Sequence, residues 1–313
     1  MIRGIDPQSD PEAPLAGLRV VELSGRVAGA YCGKLLVDAG AAVVKVEQAD
    51  GDPLRRWSAS GASLDGDGPL FRYLTTGKVA HTGDPNDLLA AADVVVLAAT
   101  PGGAARLGVG VDAVRAANPA AVLVTISDFG WTGPWAERPA TEFTLQGWCG
   151  ATGFRGVPER PPVSVGGGVG EYLGGVCAAA GALAARRWAT ATGVGDHVDV
   201  SLLECMTLAM QAFEWLHVRL MDLPSFARSI EVPSIEPAKD GWVGTSMVTG
   251  QQWLDFASMV GQPKLAEDNE LRYQLGRWPR RHEVYELIHP WFAERTVQEI
   301  VETASLFRIP MAP

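Results

Sequence analysis

Residues 18–47, LRVVELSGRVAGAYCGKLLVDAGAAVVKVE, decide the fold. A run of mostly branched apolar residues, 18–24, leads into a glycine-punctuated turn. The helical pattern of residues 30–40 ends at Gly40, and residues 41–47 form a second apolar run. Branched apolar runs suit strands buried on both faces, and a glycine can close a helix in the left-handed conformation without steric cost. Strand, helix and strand of this size make a βαβ unit, whose two strands are parallel. The texture recurs, with residues 86–92 reading as helix, 93–99 as strand, 111–118 as helix and 120–127 as strand. This alternation predicts an α/β fold built on a Rossmann-like doubly wound parallel sheet, with ligands at the carboxyl ends of its strands.

Beyond Asp128 the sequence FGWTGPWAERPATE (129–142) loses any period and reads as a structured loop at a strand end. Helical patterns follow over about 171–188 and about 200–222; the second places Leu202, Met206, Ala209, Phe213, Leu216 and Leu220 on one stripe. After Pro224 a smaller α+β unit is expected, with strands around 239–248 and helices near 250–261, 282–294 and 297–306. Thr296 and Glu299 stand at capping-box spacing before the last of these. The predicted division is a large Rossmann-like domain over 1–222 and a small α+β domain over 223–313.

Composition narrows the function. Against 36 Asp and Glu the 313 residues carry 26 Lys and Arg, a net charge of −10, which argues against sequence-independent binding to nucleic acid or an anionic membrane. The most lipid-like stretch, Leu173 to Ala185, is well below the ~20 residues of a spanning helix and reads as a tightly packed internal one. The first fourteen residues hold no apolar run of the kind a signal peptide needs. Cys32, Cys149, Cys177 and Cys205 form no C-x-x-C pair, so a reducing, cytoplasmic protein is expected, without disulfide framework or zinc knuckle. The five histidines show no zinc-hydrolase spacing and no G-x-S-x-G elbow is present, so no metal is expected.

Two glycine-rich turns carry chemical possibilities. In Ser24-Gly25-Arg26-Val27-Ala28-Gly29 the backbone of Val27 and Ala28 is free to approach a ligand. The middle glycine of a dinucleotide fingerprint is missing, although Glu47 stands where the ribose-binding acid would be. A plain tight βα turn is the favoured reading of this stretch taken alone. The second is PPVSVGGGVGEYLGG (161–175), where Gly166, Gly167, Gly168 and Gly170 can expose amide N–H groups to a ligand and Glu171 opens a helix. A carboxylate in a first helical turn is favoured by the helix dipole and, facing open space, can attack an acyl carbon. The alternative is an ordinary dipole partner. The nucleophile reading requires that the Glu171 carboxylate not be locked in a buried salt bridge.

Taken together, residues 18–57, the segment ISDFGWTGPWAERPATEFTLQGWCGATG (126–153), VGDHVDVSLLE (194–204), DGWVGTSMVTGQQW (240–253) and RIPMAP (308–313) resemble the family III CoA-transferases, the CaiB/BaiF group, in order and over nearly the whole chain. The resemblance implies an interlocked dimer of large and small domains that moves CoA from an acyl-CoA to a carboxylic acid. In the family an aspartate opening the helix after the glycine-rich segment attacks the thioester and comes to hold CoA. Glu171 matches that position and carries one extra methylene, which moves the attacking oxygen by more than about an ångström in a geometry that tolerates little change.

Coenzyme A, as acyl-CoA substrate, is the implied cofactor, with Val27, Ala28, Arg55, Arg56, Lys78, Arg106, Gly166, Gly167 and Gly168 as candidate contacts and Glu142 beside Glu171 as a candidate for orienting the acyl group. Several family features are altered. E-N-F-R-P-G becomes LAATPG (97–102), N-K-R becomes Thr76-Gly77-Lys78, and the proline after A-G is Ala30. The family's return segment beyond I-P-x-A-P, which completes the large domain, is expected to be missing after Pro313. Competing readings are a non-catalytic subunit of a fused or heteromeric transferase and an acyl-CoA racemase. Expected partners are the two substrates and a second copy or related subunit, with neither nucleic acid nor membrane.

Overall fold

The computed structural model describes residues 11–157, 159–210 and 231–313. Strands β1 (Arg19–Leu23), β2 (Ala42–Glu47), β3 (Val79–Thr82), β4 (Val94–Leu97), β5 (Val122–Ser127) and β6 (His197–Ser201) form a sheet in the order β3-β2-β1-β4-β5-β6. Every pairing is parallel; Val21 of β1 faces Val44 on one side and Val95 on the other. The central strands are buried on both faces, so they read as continuous apolar runs. Strand alternation divides their side chains between two layers. Val20, Val43, Val94, Val122 and Val124 enter one, whereas Val21, Val44, Val95, Leu97 and Leu123 enter the other.

Helices α1 (Val27–Asp38), α2 (Pro69–Thr75), α3 (Asn86–Leu89), α4 (Pro101–Arg106), α5 (Val111–Ala117), α6 (Glu142–Trp148), α7 (Val169–Thr192) and α8 (Leu202–Met210) complete this unit. Residues of α1, α7 and α8 pack in the first apolar layer, and residues of α3, α4 and α5 in the second. The 24 residues of α7 span about 36 Å. Small side chains let it lie close to its neighbours: a Cβ on Gly175 would stand 2.8 Å from the Ala28 carbonyl oxygen, and one on Gly174 would stand 2.1 Å from Leu202 Cδ2. Of the helix expected over about 200–222, residues 202–210 are helical as α8, whereas Val200 and Ser201 end strand β6; Phe213, Leu216 and Leu220 of the stripe lie outside the described residues.

The chain divides into two compact units, one taking residues 1–153 and 164–226 and the other 154–163 and 227–313. The expected boundary at 222/223 lies outside the described residues. Residues 154–163, which the sequence reading leaves in the large domain, belong to the smaller unit. That unit holds a three-stranded antiparallel sheet, β7 (Ile235–Pro237), β8 (Trp242–Thr245) and β9 (Met311–Ala312), in sequence order. Its core gathers Trp253, Phe256, Ile288, Phe292 and Ile300 from helices at Gly250–Met259, Arg281–Ala293 and Val297–Leu306. The Thr296 and Glu299 capping box is formed as expected, the Glu299 amide donating to Thr296 Oγ1 and the Thr296 amide to Glu299 Oε2.

Candidate active site

Ser24 sets the turn after β1. Its hydroxyl donates to the Arg26 carbonyl at 2.8 Å and accepts from the Arg26 amide at 3.1 Å. A Cβ on Gly29 would stand 2.4 Å from that hydroxyl, so the first turn of α1 needs glycine there. Beneath the turn lies a buried ionic cluster. Lys45 Nζ reaches Glu22 at 2.9 Å, Asp52 Oδ2 at 2.6 Å and the Ser24 carbonyl at 2.7 Å; Lys78 Nζ reaches Glu22 and the Ala30 carbonyl, each at 2.6 Å. The two lysines thus tie both flanks of the turn to Glu22. Burial opposes the charge on each. Lys45, facing both Glu22 and Asp52, is nevertheless held above the ordinary lysine value, whereas for Lys78 burial prevails and the pKa falls.

On the far side of the turn, Glu171 stands in the first turn of α7. The loop before it is open: no heavy atom lies within 4 Å of a Cβ built on Gly166, Gly167 or Gly168, and Gly167 and Gly168 have φ of 78° and 69°. The Glu171 carboxylate is held from two directions. Ala28 N–H donates to Oε2 at 2.8 Å; Arg26 donates to Oε1 through Nε at 3.0 Å and also through Nη2. Arg26 Nη1 donates in turn to Asp128 Oδ1 at 2.7 Å, at the end of β5. Burial works against the Arg26 charge, but Glu171 and Asp128 outweigh it and raise its pKa. The free carboxylate that the nucleophile reading requires is therefore found ion-paired, with 16% of its side chain exposed beside an Arg26 that is 35% exposed. Both side chains are mostly covered, and neither is fully buried.

Glu142, at the start of α6, is drawn to the same place and acts on the backbone. Its Oε1 accepts from Gly170 N–H at 2.8 Å and Gln146 Nε2 at 2.9 Å, while Oε2 is buried without a hydrogen-bond partner. Gln146, fully buried, also accepts from the Val165 amide and donates to its carbonyl, so α6 fastens the segment leading into the glycine loop. A Cβ on Gly170 would stand 1.7 Å from Met206 Cε and 2.9 Å from Glu142 Oε2, which makes glycine necessary there.

The other expected contacts divide. Val27 opens α1 and the Ala28 amide faces Glu171, so that turn adjoins the candidate nucleophile. Lys78 does not present a cation to a phosphate. Its side chain is 1% exposed and spent on Glu22 and Ala30. Arg55 is bound to Glu47 at 2.8 Å and to Asp67 at 2.6 Å and lies over the Phe71 ring. Arg56 and Arg106 are exposed. A cavity of ≈ 120 Å³ opens at the carboxyl ends of β1, β2 and β4, lined by Ser24, Gly25, Glu47, Gln48, Pro53 and Ala98. It adjoins the point where the strand order reverses, the usual place for a ligand in such sheets. Among the described residues no cluster of His, Cys, Asp and Glu could hold a metal, and no helix is long and apolar enough to cross a membrane.

The sequence pattern of CoA-transferase family III matches residues 15–313. The chain belongs to that family. Among its curated relatives, the succinyl-CoA–D-citramalate CoA-transferase of Chloroflexus aurantiacus is 29% identical over 96% of this chain and 78% of the relative. The β subunit of the succinyl-CoA–L-malate CoA-transferase of the same organism is 27% identical, over 96% of this chain and 78% of its own. Among solved structures, a CaiB/BaiF family protein from Brucella suis superimposes with a TM-score of 0.81 at 27% identity, covering 96% of this chain and 84% of that one. The resemblance read from the motifs, the doubly wound fold and the assignment to acyl-CoA:carboxylate CoA-transferases are thus all borne out. Arg26, Asp128 and Gln146 are the site residues that motif reading missed. The one sequence signal for Arg26 is a cation inside a turn already marked by two glycines.

Proposed function

We propose that this chain carries CoA from an acyl-CoA donor to a free carboxylic acid with Glu171 as the covalent carrier. The observation that supports this reading is the placing of the Glu171 carboxylate. It sits in the first turn of α7, behind a glycine loop with open space on its Cβ side, against the Ala28 amide in the first turn of α1. A Glu171 oxygen adds to the thioester carbonyl and the C–S bond breaks, leaving a glutamyl-acyl anhydride and the CoA thiolate. The thiolate then attacks Glu171 Cδ, and the acyl group departs as a carboxylate with the bridging oxygen. An incoming acid runs the sequence in reverse and restores Glu171. Ala28 N–H, already directed at Oε2, takes the oxyanion that forms at Cδ, and the amides of Gly166–Gly168 serve the acyl carbonyl.

Glu142 is a positioning residue in this reading: it fixes Gly170 and, through Gln146, the glycine loop. Exposed Arg56 and Arg106 supply charge for CoA phosphates, with Arg55 shared between that task and its two carboxylates. The cavity at the ends of β1, β2 and β4 takes part of the nucleotide. The chain works in the cytoplasm, consistent with four free cysteines, and with a second copy or related subunit. The exposed Val176, Leu183 and Trp188 on α7 support such a partner, and one relative is itself named as a subunit. Incubation with acyl-CoA followed by hydroxylamine and peptide mass spectrometry tests the carrier. Modification at Glu171, absent in Glu171→Gln, is expected. An unmodified Glu171 peptide from protein that binds CoA overturns the reading.

A further inference from the structure

We propose that Arg26 is the binding residue for the free carboxylate substrate, and that Glu171 fills this binding position in the resting state and vacates it on becoming acylated. The proposal rests on Glu171 as carrier and adds what the ion pair is for. Arg26 meets two carboxylates. Nη1 is fixed to the buried Asp128 at 2.7 Å, whereas Nε and Nη2 together face Glu171 Oε1. The Nε–Nη2 edge is the one that grips a carboxylate through two parallel hydrogen bonds, and here both donors converge on a single oxygen.

Charge conservation along the reaction dictates the exchange. At rest one guanidinium faces two carboxylates. When the thiolate attacks Glu171 Cδ, the C–O bond of the anhydride breaks, the acyl group leaves as a carboxylate, and Glu171 becomes a neutral thioester. Arg26 then keeps Asp128 but loses the acceptor on its Nε–Nη2 edge, in a site where its side chain is two-thirds covered. A guanidinium with unmet donors in such surroundings gains most from a new carboxylate. Both free acids in the reaction, the one released and the one arriving, are carboxylates beside that edge. The arriving oxygen attacks the thioester carbonyl, the C–S bond breaks, and the thiolate then attacks the new acyl carbon, returning Glu171 to Arg26 as an anion. Before acylation the tethered Glu171 outcompetes any acid in solution for the same donors. The enzyme therefore binds acid well only after CoA is attached.

The test loads Glu171 with CoA from a stoichiometric acyl-CoA, confirms the thioester by mass, and discharges it either with succinate or with hydroxylamine, a neutral nucleophile that needs no cation. In Arg26→Gln the half-saturating succinate concentration is expected to rise about tenfold or more, while hydroxylamine discharge stays within about threefold of wild type; Arg26→Lys falls between. In the wild type, succinate is expected to bind the unloaded enzyme at least about tenfold more weakly than its half-saturation of the loaded form, a comparison that requires no variant to fold. Equal succinate dependence in wild type and Arg26→Gln, or equal succinate affinity of loaded and unloaded enzyme, overturns the proposal and leaves the carrier intact. Failure of the wild type to form the thioester removes the carrier itself, and the proposal with it.

Discussion

Gly175→Ala tests how the site is held together. Helices α1 and α7 meet where a Cβ on residue 175 would stand 2.8 Å from the Ala28 carbonyl oxygen and 3.1 Å from two atoms of Tyr31. The nearest obstacle is backbone and cannot rotate aside. An ordinary contact would need the helices to separate by roughly 0.5 Å. Alanine gains about 1 kcal/mol over glycine inside a helix, whereas overpacking a close contact costs about 1–3 kcal/mol. The net expectation is a loss of about 1 kcal/mol, or some 2–4 °C in Tm for a unit of this size. Because Ala28 carries the N–H that holds Glu171 Oε2, the same displacement lengthens that hydrogen bond and lowers kcat/KM. Gly147→Ala is the control: it lies inside α6 with nothing within 4 Å of its Cβ, and gains about 0.5–1 kcal/mol. Urea unfolding of both variants, with steady-state CoA transfer, reads the effects. Stabilisation of Gly175→Ala to the extent of Gly147→Ala would refute the close packing of α1 on α7.

Three further outcomes are expected. Lys78→Met should lose about 3 kcal/mol in urea unfolding, because it strips one cation from a fully buried Glu22; a raised KM for acyl-CoA at unchanged stability would instead make Lys78 a phosphate ligand. Glu142→Ala leaves Gly170 N–H without an acceptor and removes one of the two acceptors of Gln146 Nε2, and should cost about 1–3 kcal/mol, with Glu142→Gln costing less; equal losses would contradict the role of the Glu142 hydrogen bonds. Burial alone would raise the pKa of Asp93, but hydrogen bonds from the side chain and amide of Arg19, with the charges of Arg186 and Arg19, outweigh it and hold the carboxyl low. A carboxyl lower in the folded than in the unfolded chain contributes stability above its unfolded value, about pH 4, and loses it as the pH falls through the folded one. Asp93→Asn should flatten that acid limb of stability against pH; an unchanged limb contradicts the pairing.

The parallel sheet was legible because β1, β4 and β5 are covered on both faces and so read as apolar runs. β3 was not, because Val79–Thr82 is a largely exposed strand at the sheet edge. Helix α4 was hidden by its proline and glycines, and α6 by standing next to an aperiodic loop. Glu171 could be picked out because glycines and a helix start are local signals. Its ion pair could not, since Arg26 lies 145 positions away from Glu171 and 102 from Asp128. Lys78 was misread for a related reason. Lysine is ordinarily exposed, and only the meeting of β1, β2 and β3 reveals the buried carboxylate that holds it.

The central claim is that the Glu171 carboxylate passes through covalent attachment in every turnover. An acceptor acid labelled with heavy oxygen tests it directly. When the acid attacks the glutamyl-CoA thioester, its oxygen becomes the bridge of the anhydride, and attack of the thiolate on the acceptor's own acyl carbon leaves that oxygen on Glu171. After turnover with labelled acid, the peptide containing Glu171 should gain the mass of heavy oxygen, located at that residue by fragmentation. Sustained CoA transfer with no label on Glu171 would contradict the account.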